Sequence, residues 1–192
     1  MSSTSPAEEE RRGSYRVDDC IGLRVSLVPV KAEQTALTSG KAARERFAMI
    51  NRLLVMREKT LPAFRKVERR APDVAKYLRH LEDQIETVAR VLGQSGNTMP
   101  EEPTEDVSIS ATGLSFMSST AYPVDALLEF RLVLFPERVH LFVYGRVVRV
   151  EHELDPDLPT VSVAFEEISP EDRELLIKHL HNVQMRTLNA EH

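Results

Sequence analysis

The 192-residue sequence contains no tryptophan, few other aromatic residues and a single cysteine. Cys20 has no second cysteine to pair with, so an intramolecular disulfide is excluded. No cluster of cysteine and histidine has the spacing of zinc ligands. We therefore expect a reducing compartment, no metal and no resident cofactor.

Long hydrophobic runs are also missing. No apolar segment approaches the roughly 18 residues that a membrane span needs, and the polar N-terminus, MSSTSPAEEERR, does not resemble a secretion signal. These features predict a cytoplasmic protein without a membrane span. The net charge of -5 argues against electrostatic capture of long nucleic acids. A small anionic ligand held by a few arginines is compatible with it.

Hydrophobic residues make up 42% of the chain, which is enough for a core, and their spacing divides the sequence. The segment 21–30 (IGLRVSLVPV) alternates apolar and polar residues, which predicts a strand. From about Lys41 to Leu92, alanine, arginine, glutamate and leucine predominate, which predicts helices. Pro62 and Pro72 should end or kink these helices.

After Thr104 a period of two returns in the segments VSISATG, GLSF, LLEFRLVLF, VHLFVYGRVVRV and TVSVAF. Several short strands separated by turns predict an antiparallel barrel or sandwich. Ser169 is the expected N-cap of a final amphipathic helix that begins at Pro170. Because the first strand must cross the helical block to reach its partners, that block is an insertion in a β domain.

These boundaries predict three parts. Residues 1–10 have the composition of a disordered tail. Residues 11–30 and 104–192 form the barrel with its C-terminal helix, and residues 31–103 form a helical insertion that mediates oligomerisation.

Two short segments, far apart in sequence, carry the functional interpretation. Arg12 and Arg16 lie four residues apart before the first strand, and Ser110 and Gly113 lie at a later strand and turn. Together they resemble the PilZ family, in which an R-x-x-x-R arm faces a [D/N]-x-S-x-x-G turn. The resemblance extends over residues 11–30 and 104–186. It implies a six-stranded antiparallel barrel with a C-terminal helix, and a non-enzymatic receptor or adaptor for cyclic di-GMP.

The resemblance also implies the residues that bind cyclic di-GMP, which are Arg11, Arg12, Arg16, Ser108, Ser110 and Gly113. Arginine can hold phosphate bidentately, stack on guanine, or pair with its O6/N7 edge. Ser110 offers a hydroxyl, and Gly113 permits a positive φ or a close approach of ligand to backbone. Ser108 stands where the family pattern has Asp or Asn, so a carboxylate toward guanine is missing. Asp106, on the same strand face, is a candidate to replace it.

The helical insertion carries a heptad stripe formed by Val74, Leu78, Leu81, Ile85, Val88 and Leu92. Phe47, Ile50 and Leu54 repeat the same rhythm in the preceding helix until Arg57 interrupts it. The stripe packs either on that helix, giving a monomeric hairpin, or on other subunits. The sequence resembles an atypical tetrameric branch of PilZ proteins with an inserted heptad helix, which favours a homotetramer.

Two other functions compete with that of a receptor. A degenerate PilZ scaffold would bind only proteins and no cyclic di-GMP. An enzyme would draw its bases from His140, His152, His179 and His181, but no nucleophile elbow, P-loop or metal spacing organises them, and we expect surface histidines without catalysis. The expected output is the regulation of motility, biofilm or pili through an unknown effector protein.

Overall fold

The computed structural model describes residues 15–93, 99–152 and 158–190, apart from the side chains at 37–39, 89–90, 92–93 and 190. Strand β1 (Arg16–Leu27) is followed by a 3-10 turn (Val30–Ala32) and by helices α1 (Glu33–Arg70) and α2 (Pro72–Gly93). Strands β2 (Glu105–Ser110), β3 (Gly113–Met117), β4 (Leu127–Leu134), β5 (Val139–Glu151) and β6 (Thr160–Glu167) come next, and helix α3 (Pro170–Ala190) follows them. The expected tail, residues 1–10, lies outside the described residues.

The six strands form a closed antiparallel barrel in the order β1-β2-β3-β6-β5-β4. Strand β1 closes the barrel because its first half pairs with β2 and its second half pairs with β4. Alternate residues of each strand point inward and form one core, including the fully buried Ile109, Leu114 and Phe130. The predicted six-stranded barrel is therefore confirmed.

Helix α3 covers one end of the barrel. Its Leu176, Leu180 and Val183 belong to the same buried cluster as the barrel interior. The helix begins as predicted, because the Ser169 hydroxyl accepts a hydrogen bond from the Asp172 amide at 3.0 Å.

Helix α1 packs along the outer wall of β5. Phe47 is only 3% exposed and lies between the rings of His140 and Phe142. The Asn51 side chain donates to the His140 carbonyl at 2.6 Å and accepts from the His140 amide at 2.9 Å. Asn51 thereby pairs with β5 as a neighbouring strand would.

The helix begins at Glu33, earlier than the predicted start near Lys41. The intervening residues include threonine, serine and glycine, which favour helices weakly, so contact with the barrel overrides their propensity. A Cβ at Gly40 would lie 2.6 Å from the Tyr144 hydroxyl, so only glycine lets the helix pass this close. The same hydroxyl donates to the Ala36 carbonyl at 2.8 Å.

The two prolines of the insertion behave differently. Pro72 is the first residue of α2, after the break at Ala71, as expected. Pro62 lies inside α1, so of the two expected outcomes, an end or a kink, the helix end is excluded at this position. Residues 56–63 are all exposed, so water can reach the Glu58 carbonyl that loses its amide partner.

Helix α2 folds back along α1, with ion pairs between Arg79 and Glu68 and between Arg57 and Glu86. The heptad stripe is largely exposed: Leu78 is 37%, Val74 52%, Ile85 53% and Val88 58% exposed, while Leu81 is half-buried. The Leu92 side chain lies outside the described residues.

In the alternative partner for this stripe, the row of Phe47, Ile50 and Leu54, the first two residues pack against the barrel. Phe47 is buried against the barrel, and Ile50 packs against the same cluster. Among the described side chains, most of the stripe is therefore left without cover. None of the described helices is both long and apolar enough to cross a membrane.

Candidate ligand-binding site

Arg16 opens strand β1 and lies across the outer wall of the barrel. Its Nη2 donates to the Ser108 carbonyl at 2.7 Å and to the Ser115 hydroxyl at 3.0 Å. Its Nε lies 3.5 Å from the Ser108 hydroxyl. Arg16 thus lies over the strands that lead to the Ser110–Gly113 turn. Arg11 and Arg12 lie outside the described residues.

Two guanidinium groups on this face, those of Arg16 and Arg149, repel each other. Partial burial lowers the pKa of Arg16, and repulsion from Arg149 lowers it further, while Asp18 opposes the shift. A bound anion would relieve the repulsion between these two guanidinium groups.

Strand register brings five polar residues into one row on the outer wall. Cα pairing joins Asp18 to Ser108, Ser108 to Ser115, Ser115 to Ser162, and Ser162 to Arg149. The Ser115 and Ser162 hydroxyls lie 3.1 Å apart. Three short side chains therefore form a flat hydroxyl floor between a carboxylate and a guanidinium. We call these five residues the polar row.

The Ser110–Gly113 turn is built differently from the sequence-based expectation. Ser110 is 1% exposed, and its hydroxyl donates to the Gly113 carbonyl at 3.1 Å and accepts from the Thr112 amide at 3.3 Å. This hydroxyl stabilises the turn and is not presented to solvent.

Gly113 has no positive φ, contrary to one of the two reasons proposed for it. A Cβ there would lie 2.2 Å from the Val163 carbonyl oxygen, so the close approach is that of strand β6. Glycine is required for the β3–β6 pairing next to the turn.

Asp106, the suggested replacement for the missing carboxylate, lies outside the polar row. Its strand partner is Cys20, and a hydrogen bond between the two side chains raises the pKa of the exposed Cys20 thiol. Asp106 is thus one row further from Arg16 than Ser108 is.

The histidines are not all surface residues, and that expectation is wrong for two of them. His179 is 2% exposed, with Nε2 at 2.7 Å from the Asp19 carboxylate and Nδ1 at 3.5 Å from the Glu137 carboxylate. Burial, together with Arg138, lowers the pKa of His140 to about 4. Both histidines secure a helix against the barrel. His152 and His181 are exposed.

Among the described residues, no cluster of three or more histidine, cysteine, aspartate or glutamate side chains is arranged to hold a metal. No local motif in the sequence marks Ser115, Ser162, Arg149 or Asp18. Each is an ordinary outward residue of an alternating strand, and only strand register brings them together.

The PilZ domain profile matches residues 76–182, which is more than half of the chain. The chain belongs to the PilZ domain family. The match runs from α2 through strands β2 to β6 and into α3, and β1 lies before it. The matched region of this PilZ protein includes the Ser110–Gly113 turn.

Two solved structures resemble this PilZ protein. One is a pathogenic protein from Xanthomonas campestris, described as a tetrameric PilZ domain self-assembled via an unusual helical bundle. It has 14% sequence identity and a TM-score of 0.58, and the alignment covers 96% of this chain and 95% of that chain. At this identity the likeness concerns the fold alone.

The other is the Bacillus subtilis inhibitor of motility MotI/DgrA. It has 17% identity and a TM-score of 0.39, over 45% of this chain and 44% of that chain. A comparison with curated proteins gave no match.

Proposed function

We propose that this PilZ protein is a non-enzymatic, cytoplasmic receptor for cyclic di-GMP that acts through a protein partner. The observation that carries the proposal is the position of Arg16. Its guanidinium lies over Ser108 and Ser115, beside the turn, and Arg149 lies on the same face. PilZ domains are generally receptor or adaptor domains without catalysis, which agrees with a site of arginines and hydroxyls.

The chemistry of cyclic di-GMP fits this face. The ligand has two phosphates, for which charge-assisted hydrogen bonds from arginine are the strongest available contacts. Its guanines are flat and can lie on a floor of short serine side chains. Arg11 and Arg12 precede Arg16 by five and four residues and complete the proposed arm. By family resemblance, the output is motility, biofilm formation or pilus function.

We also propose that the protein is a homo-oligomer, most simply a tetramer, assembled through the α2 stripe. Four stripe residues are between 37% and 58% exposed in the single chain. Because these side chains are already about half buried, covering the rest of each would contribute about 1 kcal/mol, roughly half the value for a fully exposed side chain. The tetramer number follows the X. campestris protein, which shares the fold and is tetrameric through a helical bundle.

The test is calorimetric titration with cyclic di-GMP of the wild type, of Arg16→Ala and of Arg24→Ala. Arg24 is a matched control because it is an exposed arginine on the same strand, but its strand partner is Arg131, away from Ser108 and Ser115. Losing a charged hydrogen bond of about 1.5–3 kcal/mol should weaken binding roughly tenfold or more in Arg16→Ala. Arg24→Ala should bind like the wild type.

Equal affinities in the two variants would contradict the assignment of Arg16.

The second candidate function is a PilZ scaffold that no longer binds cyclic di-GMP. Two observations favour it: Ser108 stands where the family has Asp or Asn, and the Ser110 hydroxyl is hydrogen-bonded within the turn. An intact oligomer with no heat of binding at high micromolar ligand would support the scaffold.

A further inference from the structure

The polar row ends on β1 in a carboxylate that neither family motif includes. Asp18 is exposed and is the direct antiparallel partner of Ser108. Directly opposed residues on one face have Cβ atoms about 4.5–5.5 Å apart, so the carboxylate can reach the space above the short serine. Arg16 lies two residues earlier, on the same face of the strand. Within the described part of the chain, no hydrogen bond or ion pair engages Asp18, although its charge attracts Arg16.

We propose that Asp18 supplies, from the neighbouring strand, the carboxylate that faces the guanine of the bound nucleotide. This inference rests on the proposed function and adds the residue that selects the base. The two carboxylate oxygens accept from the adjacent N1–H and 2-amino donors of guanine, and Arg16 contacts the phosphate. The ligand class is thus a guanine nucleotide with its base over Ser108.

The serine at position 108 fits this arrangement. An aspartate there would directly face Asp18, and like charges directly opposite each other on neighbouring strands are destabilising. The pair therefore has room for one carboxylate, which this chain places on β1. It follows that Ser108→Asp alone should not improve binding, although it restores the family pattern.

Asp106 does not serve the same role. Its strand partner is Cys20, whose thiol is hydrogen-bonded to it, and it lies one row away from Ser108. Asp106 and Asp18 are both exposed aspartates on the outer wall. Asp106→Asn is therefore a matched control for Asp18→Asn.

The experiment titrates cyclic di-GMP and cyclic di-AMP into the wild type, Asp18→Asn, Asp106→Asn and the exchange variant Asp18→Ser/Ser108→Asp. Adenine lacks the adjacent N1–H and 2-amino donors. We expect Asp18→Asn to weaken cyclic di-GMP roughly tenfold or more and to leave any cyclic di-AMP binding unchanged. Asp106→Asn should behave like the wild type, and the exchange variant should regain most of the lost affinity.

The outcomes separate this inference from the proposed function. If the wild type binds cyclic di-GMP and Asp18→Asn binds it equally well, the role of Asp18 is refuted and the receptor function stands. Equal weakening of both dinucleotides would also refute it, because Asp18 would then act only by holding Arg16. If the wild type binds neither dinucleotide, both the function and the inference fail. Melting temperatures of the variants, expected to match the wild type at this exposed position, control for folding.

Discussion

The barrel and helix α2 both carry regular rows of apolar side chains, but the chain covers only those of the barrel. Leu114, Phe130 and Val143 are completely buried, whereas Ile85 and Val88 on α2 are more than half exposed. A closed sheet encloses its own inward side chains, while a heptad stripe needs a second helix to cover it. The candidate helix for that task, α1, packs Phe47 and Ile50 against the barrel instead.

This difference assigns separate roles to the two regions. The barrel is complete within one chain and carries the polar row on its outer wall. The α2 stripe remains available for another copy of the chain. We therefore expect changes to α2 to alter assembly and leave the barrel folded.

The largest expected effect comes from placing charges in the stripe. Leu81→Asp combined with Ile85→Asp should dissociate the oligomer to single chains, because each change removes an apolar contact and places an unpaired carboxylate at every copy of the interface. Light scattering after size-exclusion chromatography measures the mass. Gln84→Asp with Thr87→Asp adds the same charge at exposed polar positions of α2 and should leave the mass unchanged.

A wild-type mass of one chain would contradict the claim that the α2 stripe binds another copy. An unchanged mass in the Leu81→Asp/Ile85→Asp protein would mean that the subunits assemble through a different surface.

A smaller effect is expected at the joint between the two regions, where His140 lies against Phe47. The pKa of His140 is lowered from 6.5 to about 4, chiefly by burial and then by Arg138. The unfolded chain therefore takes up a proton on His140 at a higher pH than the folded chain does. The stability that neutral His140 contributes is intact above pH 6.5 and is lost as the pH falls toward 4. Between pH 7 and pH 5, this group should lower the free energy of unfolding by about 2 kcal/mol.

Urea unfolding of the wild type and of His140→Gln at both pH values measures this term. The variant has no titrating ring, so its loss of stability on acidification should be smaller by that amount. The same loss in both proteins would mean that other groups account for the acid sensitivity.

Much of the fold was predictable from the sequence because it depends on local periodicity. The strands after Thr104, the cap at Ser169 and the heptad stripe each follow from spacing along the chain. The continuation of α1 past Pro62 and its early start were not predicted, because both depend on surroundings that the local sequence does not show. Exposure of residues 56–63 permits a proline inside a helix, and packing against Tyr144 extends the helix through weak formers.

The candidate site was predictable only in part. Arg16 contacts Ser108 and pairs with Ser110, which pairs in turn with Gly113, while the role of these residues in ligand binding stays a prediction. Ser162 and Arg149 joined them through strand register, which pairs residues that are distant in sequence and leaves no local signal. The burial of His179 depended on the position of α3 over the barrel end, which histidine spacing does not encode.

The most direct test of the division between barrel and helix is a titration of cyclic di-GMP into the dissociated Leu81→Asp/Ile85→Asp protein. Because the polar row belongs to a single barrel, we expect one saturable class of sites per chain, with an affinity within about threefold of the wild type. Loss of binding in a folded single chain would contradict the account, since it would mean that a second copy contributes to the ligand site.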